Sequence, residues 1–246
     1  MHREQILPGS RTIEEWERVL STASGIDDIG DRMQFLSGHF LDTAYAEATL
    51  VGDEETTETF VINLERVDCM TFIEYVEAMR LSASFDEFKG NLRRVRYKSG
   101  IVDYSARNHF FSDWRDCNPD LIEDITDRVG GARTVGMIKR LNVKMDGSPF
   151  LPGIQPFVRE IRYISSVSID PEVIENLEIG CYIGIFADSE GLDVTHTGIT
   201  VRKDNALYLR HASSRPEYRR VIDQDFREYI AGKPGIVVFR PRRQRS

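Results

Sequence analysis

Three residues of this 246-residue chain have the types and surroundings to do chemistry: Cys69, His196 and His211. The chain has three cysteines, at 69, 117 and 181, and their settings differ. Cys69 opens a run in which Phe72, Ile73, Val76 and Met79 recur at helical spacing, with Asp68 in front as an N-cap. A cysteine at a helix N-terminus meets free N–H groups and the positive end of the helix dipole. Both favour a thiolate and can hold a developing oxyanion. The same place on an apolar stripe also suits a small core residue, and the local pattern leaves both readings open. Cys117 precedes an Asn-Pro pair and reads as a helix-end residue. Cys181 begins an apolar run and reads as core.

A thiol nucleophile needs an imidazole to take its proton and pass it to the leaving group. His196 lies in the strand-like run 193–201, and His211 ends the run 206–211. The residues between, Arg202-Lys203-Asp204-Asn205, read as a turn. A hairpin centred between Lys203 and Asp204 sets His196 directly opposite His211 on one face, with Cβ atoms ~5 Å apart. One histidine is then the base and the other its orienter. Gly198 leaves room on that face, and a one-residue slip would separate the pair. Two half-exposed strand histidines are the plainer alternative. A metal reading would draw on Asp193, His196 and His211. With no His-Glu-x-x-His and no Cys-x-x-Cys in the chain, neither a metal nor another cofactor is expected. His2, His39 and His109 have no partner that spacing can place.

The elements that would position these residues come in two blocks. Thr12 and Glu15 form a capping-box pattern ahead of Ile13, Trp16, Val19 and Leu20. Further helices are expected over 28–37, from 69 onward, and from Ser84 to about 96–98, where a basic turn and Gly100 end the last one. A strand is expected over 59–64, and residues 101–118 gather Tyr104, His109, Phe110, Phe111 and Trp114. Strand-like runs follow at 160–164, 181–187, 194–201, 206–211 and 235–240, with a short helix between 223 and 231. Helices first and an antiparallel sheet later is the α+β order. The expected organisation is a helical extension over 1–58 packed on the same domain, a core over 59–239, and a mobile basic tail over 240–246.

Composition narrows the partners. Lys plus Arg is 32 against 40 Asp plus Glu, a net charge of −8, which argues against nucleic acid as the main partner. No apolar run approaches the ~20 residues of a membrane helix. The N-terminal residues lack the apolar stretch of a signal peptide, so a cytoplasmic location is expected, or an exported one if a signal has been removed. Oligomeric state is not legible.

At these residues the sequence resembles the NlpC-type papain-like cysteine hydrolases (the NlpC/P60 superfamily), in particular the branch described as N-acetylmuramoyl-L-alanine amidase-like. The matching pieces are Leu64 to Glu74, Arg96 to Trp114, Asn176 to Phe186, and the block from His196 through His211 to Ser214. They occur in the family's order over about residues 60 to 230. The resemblance implies a papain-like fold with Cys69 as nucleophile, His196 as general base and acid, and His211 orienting the imidazole. It implies peptidoglycan fragments (muropeptides) as substrates, cleaved at the amide between N-acetylmuramic acid and L-alanine through a thioester. It also assigns Tyr104, Arg107 and His109, with Asp68, to substrate binding, and Arg107 suits a stem-peptide carboxylate. The chain has Gly180-Cys181 where the family usually has Gly-Asp, and its first 58 residues match poorly. A stem-peptide endopeptidase and a non-catalytic muropeptide-binding module are the other readings.

Overall fold

Side-chain caps set the long helices. The Thr12 hydroxyl accepts the Glu15 N–H at 3.2 Å, and Glu15 accepts the Thr12 N–H at 2.7 Å, starting α1 (Ile13–Ser24). Asp28 caps α2 (Ile29–Gly38), Asp68 caps α3 (Cys69–Arg80) and Ser84 caps α4 (Phe85–Arg96). These boundaries agree closely with the sequence signals. The shorter helices are α5 (Phe111–Cys117), α6 (Thr126–Gly130), α7 (Pro171–Glu175) and α8 (Phe226–Ile230). This computed structural model describes residues 3–243. His2 and the last three residues of the expected tail lie outside the described residues.

The first four strands are short: β1 (Glu4–Leu7), β2 (Ala44–Tyr45), β3 (Phe60–Asn63) and β4 (Arg66–Val67). They form two parallel pairs, β1 with β3 and β2 with β4. The remaining strands are β5 (Ile122–Asp124), β6 (Thr134–Leu141), β7 (Phe157–Ser165), β8 (Tyr182–Phe186), β9 (Val194–Lys203), β10 (Ala206–Ala212), β11 (Val221–Asp225) and β12 (Gly235–Pro241). They build one eight-stranded sheet in the order β11-β10-β9-β8-β12-β7-β6, with β5 also paired to β12. Its pairings are antiparallel, so the α+β expectation agrees with the fold.

Helix α3 is the buried centre of the helical layer. The sequence suggested a single apolar stripe, yet every residue from Thr71 to Arg80 is buried. Charges inside such a helix need partners. Arg96 Nε lies 2.7 Å from Glu74, and Arg80 pairs with Glu77, which also accepts from the Tyr182 hydroxyl. Residues before 59 join the same core: Trp16, Leu20, Met33, Leu36 and Phe40 cluster with Phe72 and Tyr75. The first residues of the expected tail are held in place. Arg240 and Pro241 belong to β12, Glu123 holds Arg240 at 2.8 Å, and the Arg242 N–H reaches Leu121 O at 2.6 Å.

The β9–β10 hairpin corrects the expected register. Lys203 pairs with Ala206 and Ile199 with Arg210, so the turn is centred between Asp204 and Asn205. Both turn residues have positive φ, 47° and 64°, as a type I′ turn requires and as Asp and Asn tolerate. Continued by one step, this register sets His211 opposite Gly198. His196 is then diagonal to His211 rather than opposite it. The shift is two residues, so both histidines keep the same face.

Candidate active site

Asp68 fixes the start of the helix that carries Cys69. Its carboxylate accepts the Thr71 N–H at 2.7 Å, and the Thr71 hydroxyl accepts the Asp68 N–H at 3.0 Å. Asp68 therefore acts as the cap, and Thr49 Oγ1 adds a contact to its second oxygen at 3.4 Å. Cys69 is the first residue of α3 and is half-buried. Thr197 ties it to the sheet: its hydroxyl donates to Cys69 O at 2.7 Å. Thr197 follows His196 directly, so the tether holds the thiol-bearing residue against the segment that carries the imidazole.

The two histidines meet as the face argument requires. His196 Nε2 is 2.8 Å from His211 Nδ1, and the rings stand edge to face at 87°. Gly198 allows the close approach of the strands, because a Cβ there would stand 2.8 Å from Arg210 O. On its other side, His211 Nε2 is 2.8 Å from Gln224 Oε1 on β11. Tyr229 of α8 lies over the pair, with its ring centroid 4.7 Å from that of His211 and 6.2 Å from that of His196.

Electrostatics set a neutral resting site. Burial, and next the Asp68 charge, push the Cys69 thiol up to about 11, against an opposing pull from Thr197 hydrogen bonds. Burial, then His211, Lys233 and Arg215, bring His196 down to about 3. Burial brings His211 down to about 4, opposed by the Gln224 hydrogen bond. The depressed thiol suggested by the helix terminus is thus overridden by desolvation and by the capping carboxylate. Tyr45, raised to about 12 by burial and then by Cys69 and Asp68, is a neutral phenol within electrostatic reach of the sulfur. Tyr229 feels Cys69 likewise.

The 104–109 arm is organised differently. Arg107 forms an ion pair with buried Glu58, with Nε 3.2 Å from Glu58 Oε1, and contacts Gly52 O at 3.3 Å. Its charge is met inside the protein by Glu58. The Tyr104 hydroxyl donates to Pro152 O at 3.0 Å, and His109 Nε2 is 2.8 Å from Tyr104 O. The three side chains lie against one another, with Arg107 over the Tyr104 ring at 5.3 Å and the Tyr104 and His109 rings edge to face at 4.8 Å. Asp193 accepts the N–H groups of Ser112 and Val194 at 2.7 Å, so its oxygens are occupied by backbone. Among the described residues no group of three His, Cys, Asp or Glu side chains is placed to hold a metal.

Sequence reasoning missed Thr197, Gln224, Tyr45, Tyr229, Arg215 and Lys233. Gln224 fell inside the helix expected from 223. In the structure Asp225 caps α8, accepting the Glu228 N–H at 3.0 Å, so residues before it extend as β11. That Asp-x-x-Glu spacing after Val221-Ile222 was the available signal.

The family model for AmiA-like proteins, N-acetylmuramoyl-L-alanine amidase-like, matches residues 35–236. The chain belongs to this amidase-like family. A Legionella pneumophila protein of known structure superimposes with a TM-score of 0.80 at 19% identity, covering 95% of both chains, and shows the shared fold. An N-acetylmuramoyl-L-alanine amidase from Bacteroides uniformis is 27% identical with a TM-score of 0.71, covering 87% of this chain and 99% of its own. A candidate xylanase from Bacteroides fragilis is 28% identical with a TM-score of 0.68, covering 84% and 99%. No curated protein matches the sequence. Among the described residues no helix is long and apolar enough to cross a membrane.

Proposed function

We propose that this amidase-like protein is a papain-like thiol hydrolase of the NlpC type that cleaves the amide between N-acetylmuramic acid and L-alanine in muropeptides. The observation that carries the thiol chemistry is the Thr197–Cys69 bond, which fixes the first residue of α3 against the strand that carries His196, itself paired to a second histidine. The Bacteroides uniformis amidase supports the choice of bond. In the mechanism, His196 takes the Cys69 proton as sulfur attacks the lactyl carbonyl. The first-turn N–H groups of α3 and the Tyr45 hydroxyl suit the developing oxyanion. His196 then protonates the alanine nitrogen as the C–N bond breaks. Water activated by the same imidazole hydrolyses the thioester and frees the thiol. Because thiol and imidazole rest neutral, proton transfer accompanies attack rather than preceding it.

Arg215 and Lys233 supply the positive charge that Arg107 does not. Both act on His196 and His211. Arg215 is half exposed with its nearest carboxylate, Glu217, 4.0 Å away, and Lys233 Nζ lies 5.5 Å from the Tyr229 ring. On a chain of net charge −8, these cations suit the carboxylates of a stem peptide. A glycosidase reading, suggested by one structural relative, needs two available carboxylates. Here Asp68 caps a helix, Glu58 and Glu74 pair with arginines, and Asp193 is held by amides.

Digestion of defined muropeptides followed by mass spectrometry tests the reading. The expected products are a sugar with a free lactyl carboxylate and a peptide with a free alanine N-terminus, with a trapped acyl group on Cys69. Cleavage inside the stem peptide would make the protein an endopeptidase. Binding without cleavage would make it a recognition module.

A further inference from the structure

The polar line that begins at His196 does not stop at His211. Gln224 Oε1 is 2.8 Å from His211 Nε2, and His211 Nδ1 is 2.8 Å from His196 Nε2. The three side chains come from three adjacent strands, β9, β10 and β11. Gln224 pairs with Leu209, two residues before His211, so it lies diagonally on the same face. His196 is diagonal to His211 in turn. Each step is the diagonal cross-strand reach open to a long side chain.

Such a line has a direction. A neutral imidazole has one N–H and one lone pair, so each ring donates on one side and accepts on the other. His211 is only 2% exposed, which holds it neutral. If the Gln224 oxygen accepts from His211 Nε2, His211 Nδ1 is bare and accepts from His196 Nε2–H. The lone pair of His196 then sits on Nδ1, the nitrogen not committed to His211. If the amide NH2 donated instead, every bond would reverse, and His196 Nδ1 would hold a proton and be useless as a base.

We propose that Gln224 is a positioning residue whose amide oxygen fixes both imidazoles as Nε2–H tautomers and leaves His196 Nδ1 as the base for Cys69. The tautomer assignment stands by itself, and only the word base rests on the thiol-hydrolase reading above. The residue does not touch substrate and acts through His211.

Nitrogen-15 NMR of the histidine rings at neutral pH tests the assignment without substrate. Both rings are expected as Nε2–H tautomers in the wild type, and Gln224→Leu is expected to give mixed tautomers at His211. In the same variant kcat is expected to fall about tenfold or more with KM little changed, as befits a misoriented base. Gln224→Glu preserves shape and acceptor but favours a charged His211, whose Nδ1–H would confront His196 Nε2–H. Its acid limb of kcat/KM is expected to move up by about one pH unit, with activity recovering in alkali. An Nδ1–H proton on wild-type His196, or unchanged rings in Gln224→Leu, would overturn the proposal. So would a Gln224→Glu variant that loses stability with no shift in its pH profile. Agreement of the ring spectra with no cleavage of any muropeptide would leave the tautomer assignment standing and remove the hydrolase reading.

Discussion

The polar residues along the 196–224 line and those of the 104–109 arm differ in what they leave open. Along the line, His196 spends one nitrogen on His211 and keeps the other. In the arm, Arg107 is taken up by Glu58, Tyr104 by Pro152, and His109 by Tyr104 O. Both regions contain histidine, a hydroxyl and nearby cations, and both lie within the residues that the family model matches. The difference is that a guanidinium already neutralised by a buried carboxylate serves the architecture, whereas an imidazole oriented by a second, buried histidine keeps a nitrogen available for chemistry.

Substitutions in the two regions should therefore separate rate from stability. Cys69→Ala should abolish hydrolysis while the thermal midpoint stays near wild type, measured by muropeptide turnover and calorimetry. Surviving turnover would mean that the nucleophile lies elsewhere. His211→Ala should lower kcat about a hundredfold, because His196 loses the acceptor that orients it. Arg107→Met should act in the opposite way: it leaves Glu58 buried without its partner and should cost about 3–5 kcal/mol of stability by denaturant titration, with kcat of the folded protein little changed. A large KM effect without destabilisation would return Arg107 to substrate binding.

Smaller effects follow from the cations and the histidine environments. Arg215→Gln and Lys233→Gln should each raise KM about threefold to tenfold for peptides with free carboxylates, and the loss should shrink at high salt. His196 and His211 are held near 3 and 4 in the folded state, below the ordinary histidine value. The unfolded chain then binds more protons below about pH 6.5, so stability should fall as pH drops through that value toward 4. Melting curves over this range should be flatter for a His196→Gln, His211→Gln double variant. Equal slopes would show that other groups set the acid sensitivity. Iodoacetamide reactivity of Cys69 should climb through neutral pH toward about 11, with no plateau near 6, because the thiol is raised.

Local signals carried much of the fold. Thr12, Asp28, Asp68 and Ser84 each cap the helix that sequence spacing assigned to them, since a cap and the N–H it accepts lie within three residues. The face shared by His196 and His211 was legible too, because strand parity survives a shift of two. The register itself was not, since it depends on which turn residues adopt positive φ. Strand β11 was hidden by a competing helix start, and β6 by its edge position, where Val135, Met137 and Ile138 stay exposed and no alternation marks a face.

By itself the sequence determined that Cys69 begins a helix, that two histidines share a strand face, and that the chain is acidic. These are properties of neighbours along the chain and need no long-range contact. The tertiary structure decided which polar groups remain unspent. It closed Arg107 onto Glu58 across 49 residues, tied Cys69 to Thr197 across 128, and brought Gln224 to His211. It also reversed the expected thiol shift, because desolvation depends on everything packed around the sulfur and not on the helix end alone.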